Sequence, residues 1–281
     1  MAYENEIHCP EGSIVVLPMD EGEWQFEYPR IGWAVMEVFH EALEYWRVGD
    51  YGVAEEIYRE LLSDYPEFID VHHHLALVLD ETDRSAEALQ IWQQTVALGL
   101  RSLPEAFVMG RDQLSWLFLE NRPFLRAYHA LGLQVLERGQ VEEALEIFEN
   151  LLALNPGDNQ GARALVVGCS FYLDSPQDVL ALCDQYPGDG MEQLLYGRVL
   201  ALYQLGHLDE AAEALDWAIE LLPLIAQELV KARHRRPKNL HPDYITWGGA
   251  DQAYIYWMDQ GQYWKDTPGA IAFVRQRLAE S

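Results

Sequence analysis

The sequence predicts an all-α solenoid of about five helix pairs, and three observations support this fold class. One spacing recurs four times: a turn residue, an alanine five positions later, a large residue four positions after the alanine, and a terminating residue eight positions further on. The turn residues Gly49 and Asp83 are 34 positions apart. Apolar residues within 128–157 recur at steps of three and four, as in amphipathic helices. A repeated helical hairpin accounts for all three observations.

The residue types at these positions suit a helical hairpin. Glycine at the turn permits the left-handed conformation that ends the first helix, and alanine one turn into the second helix lets the two axes approach closely. The large residue packs against the next pair, and a proline ends the second helix. The four instances are Gly49, Ala54, Tyr58 and Pro66; Asp83, Ala88, Trp92 and Leu100; Gly139, Ala144, Phe148 and Pro156; and Gly206, Ala211, Leu215 and Pro223. We therefore predict that the four alanines are buried at helix crossings.

This 34-residue spacing resembles the tetratricopeptide repeat, and the match is closest at residues 125–158. The predicted repeats within 33–225 are 35–68, 69–102, 125–158, 159–191 and 192–225. The fourth of these is degenerate, with Leu173 in place of the turn glycine. The resemblance implies a right-handed superhelix whose concave wall is built from the first helix of each pair.

Three strings carry a narrower resemblance. ENRPFLRA (120–127), NPGDNQGAR (155–163) and the tail over 241–271 are similar to a family of bacterial repeat proteins with no assigned activity. The tail also distantly resembles the C-terminal part of the eukaryotic protein called suppressor of tumorigenicity seven. Neither similarity carries a location or a role over to this chain.

Two segments before and between the repeats need separate interpretation. Residues 1–32 are acidic and contain a short β-branched run, SIVVLP (13–18), without helical periodicity. The insertion 103–124 is predicted to be an extra helix, because Pro104 suits a first turn and Phe107, Leu114, Leu117 and Phe118 form an apolar stripe.

Residues 226–281 are predicted to be a helical cap, since the last repeat of a solenoid otherwise leaves its apolar flank in water. Within the cap we expect one helix that runs to Arg236, a loop, a helix after Gly249 and a final helix from Pro268. The basic cluster 231–238 is either a docking patch for an acidic partner or RNA, or a set of cations at a helix C-terminus paired with the acidic repeats. We favour the pairing within the chain.

Composition limits the class of partner. Forty-six acidic residues against 19 basic ones give a net charge of −27, which disfavours nucleic acid and anionic lipid as partners. The three cysteines show no C-x-x-C spacing, so neither a disulfide framework nor a thiolate zinc site is indicated. No uncharged apolar run of 18 residues and no signal-like start are present, so we expect a cytoplasmic protein.

Motifs for catalysis are lacking in the sequence. It contains no phosphate loop, no G-x-G-x-x-G and no G-x-S-x-G. His40 and Glu41 begin a zinc-protease motif, but Glu44 stands where the second histidine would be needed. The run 72–74 consists of three histidines and could contribute to a metal site with His40 and His129, although at most two of the three could share one ion. We favour a core or groove role and expect no enzyme, no cofactor and no metal.

The resemblance to the tetratricopeptide repeat also implies which side chains line a partner-binding groove. They are mainly aromatic and aliphatic, and are well suited to an apolar peptide or an amphipathic helix. The positions are Phe39, His40, Leu43, Trp46, His73, His74, Leu77, Arg126, His129, Leu133, Arg163, Phe171, Tyr196, Leu200 and Tyr203. The predicted function is a non-enzymatic scaffold or adaptor that binds a protein or peptide. The alternative is an enzyme or small-ligand-binding protein with a pocket between groove, insertion and cap.

A groove of this kind is apolar enough that we expect something to cover it. The candidates within the chain are residues 13–18 and the insertion, and a homodimer is the third possibility. We favour the N-terminal segment, because it has apolar side chains but too few residues for a core of its own.

Overall fold

A computed structural model describes residues 7–238, 240, 241 and 244–280, and within these ranges most residues are helical. Its elements are β1 (Val15–Asp20), β2 (Glu23–Glu27), α1 (Trp33–Arg47), α2 (Tyr51–Asp64), α3 (Ile69–Glu81), α4 (Ser85–Arg101), a 3-10 helix (Leu119–Asn121), α5 (Arg122–Glu137), α6 (Val141–Leu154), α7 (Ala162–Tyr172), α8 (Pro176–Gln185), α9 (Glu192–Gln204), α10 (Leu208–Leu221), α11 (Pro223–Leu229), α12 (Ala250–Asp266) and α13 (Ala270–Glu280). The chain divides into two compact units, unit 1 (1–162) and unit 2 (163–281).

Five helix pairs make up most of the chain, so the predicted all-α repeat fold is confirmed. Unit 1 contains the pairs α1–α2, α3–α4 and α5–α6, and unit 2 is built on α7–α8 and α9–α10. Successive helices from α1 to α6 pack against each other in unit 1, and so do successive helices from α8 to α13 in unit 2. α1 begins at Trp33 and α5 at Arg122, two and three residues before the predicted repeat ranges 35–68 and 125–158. No helix among the described residues is both long and apolar enough to cross a membrane.

The turn inside each pair has the backbone conformation that the sequence predicts. Gly49, Gly139 and Gly206 have φ values of 81°, 74° and 81°. Asp83 adopts the same left-handed region with φ 59°, which a short polar side chain tolerates. In the degenerate fourth pair the left-handed residue is Asp174, one position after the predicted Leu173.

Close packing of the two helices in a pair depends on the predicted alanines. Ala54, Ala88, Ala144 and Ala211 are all 0% exposed, which confirms that they are buried. The large residues four positions later are buried as well: Tyr58, Trp92, Phe148 and Leu215 are at most 2% exposed.

The N-terminal segment forms an antiparallel hairpin in unit 1. β1 pairs with β2 from Val15 opposite Glu27 to Asp20 opposite Glu23. Phe26 is fully buried, its N–H donates to Asn121 Oδ1 at 2.9 Å, and its ring lies 5.2 Å from that of Phe124. The run 13–18 is therefore mostly strand, and its sheet is fastened to the start of α5.

The predicted helix in the insertion 103–124 is wrong. Residues 103–118 contain turns and isolated bridges, and only the 3-10 helix at 119–121 is regular. The reason is that long-range partners satisfy the backbone: Leu114 N–H donates to Leu154 O at 2.7 Å, and Gln113 exchanges hydrogen bonds with Gly22 and Trp24. The expected apolar stripe is divided accordingly, since Leu114 is fully buried whereas Leu117 is 79% exposed.

The cap differs from its prediction at one helix. α11 ends at Leu229 rather than at Arg236. The residues that follow leave the helical path because Lys231 and His234 bind the buried Glu228 carboxylate, which accepts from Lys231 Nζ at 2.5 Å and from His234 Nδ1 at 2.9 Å. The other exposed cations of the basic cluster form no ion pair among the described residues; they are Arg233, Arg235, Arg236 and Lys238. The last two helices, α12 and α13, begin close to Gly249 and Pro268 as expected.

Candidate partner-binding groove

Unit 1 brings ten of the predicted groove residues onto the first helices of its three pairs. Three of them, Phe39, His73 and His74, are buried. The remaining seven are exposed or half-buried: His40, Leu43, Trp46, Leu77, Arg126, His129 and Leu133. We call the faces of α1, α3 and α5 that carry these ten residues the unit 1 wall.

His74 is the centre of an aromatic cluster in this wall. Its ring lies 5.2 Å from Phe39, 5.9 Å from Trp46 and 6.2 Å from Tyr58. Its Nδ1–H donates to the carbonyl of Asp70 at 2.8 Å, one helical turn back. The position of the ring between α1 and α3 is therefore set both by packing and by a backbone acceptor.

Asp70 links α3 to α5. Its carboxylate accepts from Arg126 Nη2 at 2.8 and 3.1 Å, and His74 Nδ1 lies 3.3 Å from Oδ1. Burial alone would raise the pKa of Asp70, but the hydrogen bond from His74 and the charges of His74 and Arg126 outweigh burial and lower the pKa. The polar part of the wall is thus an ionised carboxylate held by a guanidinium.

The two neighbouring histidines belong to the interior. Trp92 Nε1–H donates to His73 Nδ1 at 3.2 Å, and burial lowers the pKa of His73 to about 3. His72 Nε2–H donates to the Pro66 carbonyl at 2.8 Å, and burial lowers the pKa of His72 to about 4. Both rings are therefore neutral at pH 7. Among the described residues, no group of three or more His, Cys, Asp or Glu side chains is arranged to hold a metal ion.

The third helix of the wall, α5, contributes His129 and Leu133. The His129 ring lies 5.9 Å from Phe148, and burial lowers its pKa. Several buried polar atoms near the wall have no hydrogen-bond partner among the described residues; they include Trp46 Nε1, Tyr58 Oη, Arg126 Nε and His129 Nε2. The wall therefore combines aliphatic and aromatic surface with a few polar atoms.

In unit 2 the corresponding faces are covered by the chain itself. Phe171 and Tyr196 lie 5.5 Å from Tyr263 and 5.6 Å from Tyr256, both of α12. Tyr203 lies 5.1 Å from Phe273 of α13. Phe171, Tyr196 and Leu200 are consequently buried.

Polar contacts fix this cover in place. Tyr263 Oη donates to the carbonyl of Gly168 at 3.0 Å, and Gln252 Nε2 donates to Glu192 at 2.9 Å. Arg163, the remaining predicted groove residue, pairs with Asp189 and lies over the Tyr186 ring at 4.6 Å. The sequence analysis did not predict that α12 covers these faces. The aromatic run over 254–264 was nevertheless a signal that α12 packs against another apolar surface.

Solved structures similar to this chain are helical repeat proteins. A tetratricopeptide repeat protein from Parabacteroides merdae is 16% identical, covering 89% of this chain and 81% of its own at a TM-score of 0.48. MamA is 16% identical, covering 66% and 90% at 0.47. YrrB, described as having an unusual peptide-binding site, is 17% identical, covering 66% and 85% at 0.44. Similarity at this level says nothing about shared partners.

Sequence comparison gives a more specific result. No curated protein sequence is significantly similar to the chain. A family model described as Transcriptional repressor TCF25 matches residues 43–244, a stretch that includes the turn of the first pair and all of α2 to α11. Because this match covers well over half of the 281 residues, the protein belongs to the TCF25 family.

Proposed function

We propose that the protein is a non-enzymatic interaction scaffold, and that its unit 1 wall binds an apolar peptide or amphipathic helix of a partner protein. The observation that carries this proposal is the contrast between the two units. In unit 1 most wall residues keep part of their surface in solvent, whereas in unit 2 the equivalent faces are packed under α12 and α13. A surface that the fold leaves uncovered is the one available to a partner.

The chemistry of the wall supports this kind of guest. Leu43, Leu77 and Leu133 provide aliphatic surface, and Trp46 provides a rigid aromatic side chain of the type that carries binding energy. The family description names a transcriptional repressor. With a net charge of −27, contact with another protein is a more favourable route to such a role than contact with DNA.

The proposal is tested by selecting a peptide and mapping where it binds. A random peptide library displayed on phage is selected against the full chain, and the affinity of the best synthetic peptide is measured by calorimetry. Leu77→Gln and Leu133→Gln should each weaken binding at least fivefold. The matched control is Leu208→Gln, since Leu208 is 52% exposed on α10, outside the wall.

Each variant is checked for folding by circular dichroism and thermal melting, because Leu77 and Leu133 are partly buried. Should a wall variant melt early, Leu43→Gln on α1 replaces it. Equal binding by wild type and by all folded wall variants would exclude the unit 1 wall as the binding surface.

A further inference from the structure

A cavity of about 540 Å³ opens at the end of the unit 1 wall where α1, α3 and α5 begin. Met36 and Asp70 line it, and each lies one helical turn before wall residues: Met36 before Phe39 and His40, Asp70 before His73 and His74. The cavity therefore lies next to the wall. It is large enough for one long side chain of a bound segment together with its backbone.

The sides of the cavity are mostly apolar. Ile31, Met36, Phe68 and Leu119 provide them, together with two prolines. Such a surface suits the methylene part of a long side chain, which loses contact with water there. The turn that follows β2 supplies Ile31, so the N-terminal hairpin completes the cavity rather than filling it.

The charged lining residues are all acidic. Glu27, Asp70 and Glu120 line the cavity, and no Lys or Arg does. Asp70 is already held by Arg126 and His74. Glu27 and Glu120 are exposed and form no ion pair with a described residue, so both remain available as acceptors.

A buried hydroxyl group is a second, independent observation at this site. Tyr28 lines the cavity, and its Oη is buried without a hydrogen-bond partner among the described residues. Burial first, and then the charges of Asp70 and Glu120, raise the pKa of Tyr28, so the group is a neutral phenol close to these carboxylates. The hydroxyl itself is not exposed to the cavity, but an aromatic side chain in a cavity wall attracts a cation to its ring face.

We propose that this cavity binds an arginine side chain of the partner segment, with its methylene groups against Ile31 and Met36 and its guanidinium group at Glu27 and Glu120. Arginine fits better than lysine because its planar group has five donors, which can serve both carboxylates at once. The negative charge of the chain also favours the approach of a basic segment. This inference rests on the proposed function, since the arginine belongs to the segment on the wall.

The test uses methyl groups that line the cavity as reporters. The full chain is labelled with ¹³C at the Met and Ile methyl groups, and acetyl-Gly-Arg-Gly-amide is titrated in. We expect saturable shifts of the Met36 and Ile31 signals that weaken as salt screens the charges. The same peptide with citrulline, which has the same shape without the charge, should bind at least tenfold more weakly, and the lysine peptide more weakly than the arginine peptide.

Removing the two available carboxylates checks the assignment. Glu27→Gln combined with Glu120→Gln should weaken binding of the arginine peptide at least fivefold. The matched control is Glu21→Gln combined with Glu41→Gln, which removes the same charge from exposed positions outside the cavity lining. Thermal melting establishes that both double variants are folded.

Three outcomes would overturn the inference: a norleucine peptide that binds as well as the arginine peptide, arginine binding that survives loss of both carboxylates, or no saturable shift at all. These outcomes are distinct from failure of the proposed function. If the affinity of the phage-selected peptide depends on Leu77 and Leu133 but the arginine peptide does not shift the Met36 methyl signal, only the cavity assignment is contradicted. If the arginine peptide shifts the Met36 signal but the affinity of the selected peptide does not depend on Leu77 and Leu133, only the wall is contradicted as the binding surface.

Discussion

Gly99 of α4 and the ring of Phe124 of α5 are packed so closely that a methyl group on Gly99 would lie 2.3 Å from two ring atoms. Phe124 is fully buried and also lies 5.2 Å from Phe26 and 5.7 Å from Tyr128. One aromatic ring thus joins the N-terminal hairpin to the second and third helix pairs. Gly99 makes this possible because it has no side chain.

Gly99→Ala should therefore destabilise the protein. The added methyl group must displace a fully buried ring, and overpacking of this kind costs roughly 1–3 kcal/mol in free energy of unfolding. Gly52→Ala is the matched control, since nothing lies within 4 Å of a methyl group there and alanine favours the helix. Urea unfolding of both variants measures the difference; equal stability would show that α4 and α5 are not in this contact.

Ala144→Phe tests the registration of the repeats. Ala144 is fully buried in the third pair, so a large side chain should overpack the crossing of α5 and α6 and cost roughly 1–3 kcal/mol. The control is Ala86→Phe, at an exposed position of α4. Thermal melting provides the measurement, and an unchanged melting temperature for Ala144→Phe would contradict the registration.

Tyr196→Phe should weaken unit 2. Tyr196 Oη donates to Leu222 O at 2.8 Å and accepts from Ala226 N–H at 3.2 Å, so removing it takes away the acceptor of the buried Ala226 N–H and one of the donors to Leu222 O. The expected loss is about 1–3 kcal/mol. Tyr172→Phe, at a residue that is 65% exposed, should change stability little. Denaturant unfolding followed by fluorescence distinguishes the two, and similar small effects would contradict the buried network.

His72 should make stability fall on acidification. The pKa of His72 is about 4 in the folded chain against 6.5 for a free histidine, so the unfolded chain binds more protons between these pH values and protonation favours unfolding. Between pH 7 and pH 5 this one group contributes a loss of about 2 kcal/mol.

His72→Gln is compared with wild type by urea unfolding at both pH values. The variant should be less stable at pH 7, since Gln replaces the donor to Pro66, but should lose about 2 kcal/mol less on acidification. Identical losses in the two proteins would mean that His72 is not buried as a neutral ring.

The helix pairs could be predicted because the signals for them are local. A turn residue at Gly139 and an alanine at Ala144 act within one hairpin, so spacing alone locates it. The insertion could not be predicted, since Leu114 and Gln113 take backbone partners at Leu154, Gly22 and Trp24, far away in sequence. The apolar residues of the insertion are spaced as they are because they pack against several elements, and not because they lie on one face of a helix.

The same distinction applies to the candidate site. The repeat register correctly places Phe39, His74 and Leu77 on the first helices of unit 1. It does not reveal that Tyr203 meets Phe273, because that contact joins residues 70 positions apart through helices of the cap. The basic cluster does not pair as expected: Lys231 pairs with Glu228 of the cap rather than with the acidic repeats, and Arg235 and Arg236 are exposed without an ion pair among the described residues.

For the scaffold function that we propose, the uncovered surface limits the length of the partner segment that can be bound. Within unit 2, α12 and α13 cover the first helices, and the proposed binding surface is therefore the three first helices of unit 1. Because neighbouring helices lie roughly 10 Å apart, a guest has about 20–30 Å of this wall to contact. An extended chain spans this distance with roughly six to nine residues. A segment this short presents very few side chains by which one partner sequence can be distinguished from another. One charged residue bound in the cavity at the end of the wall would then decide which sequences bind.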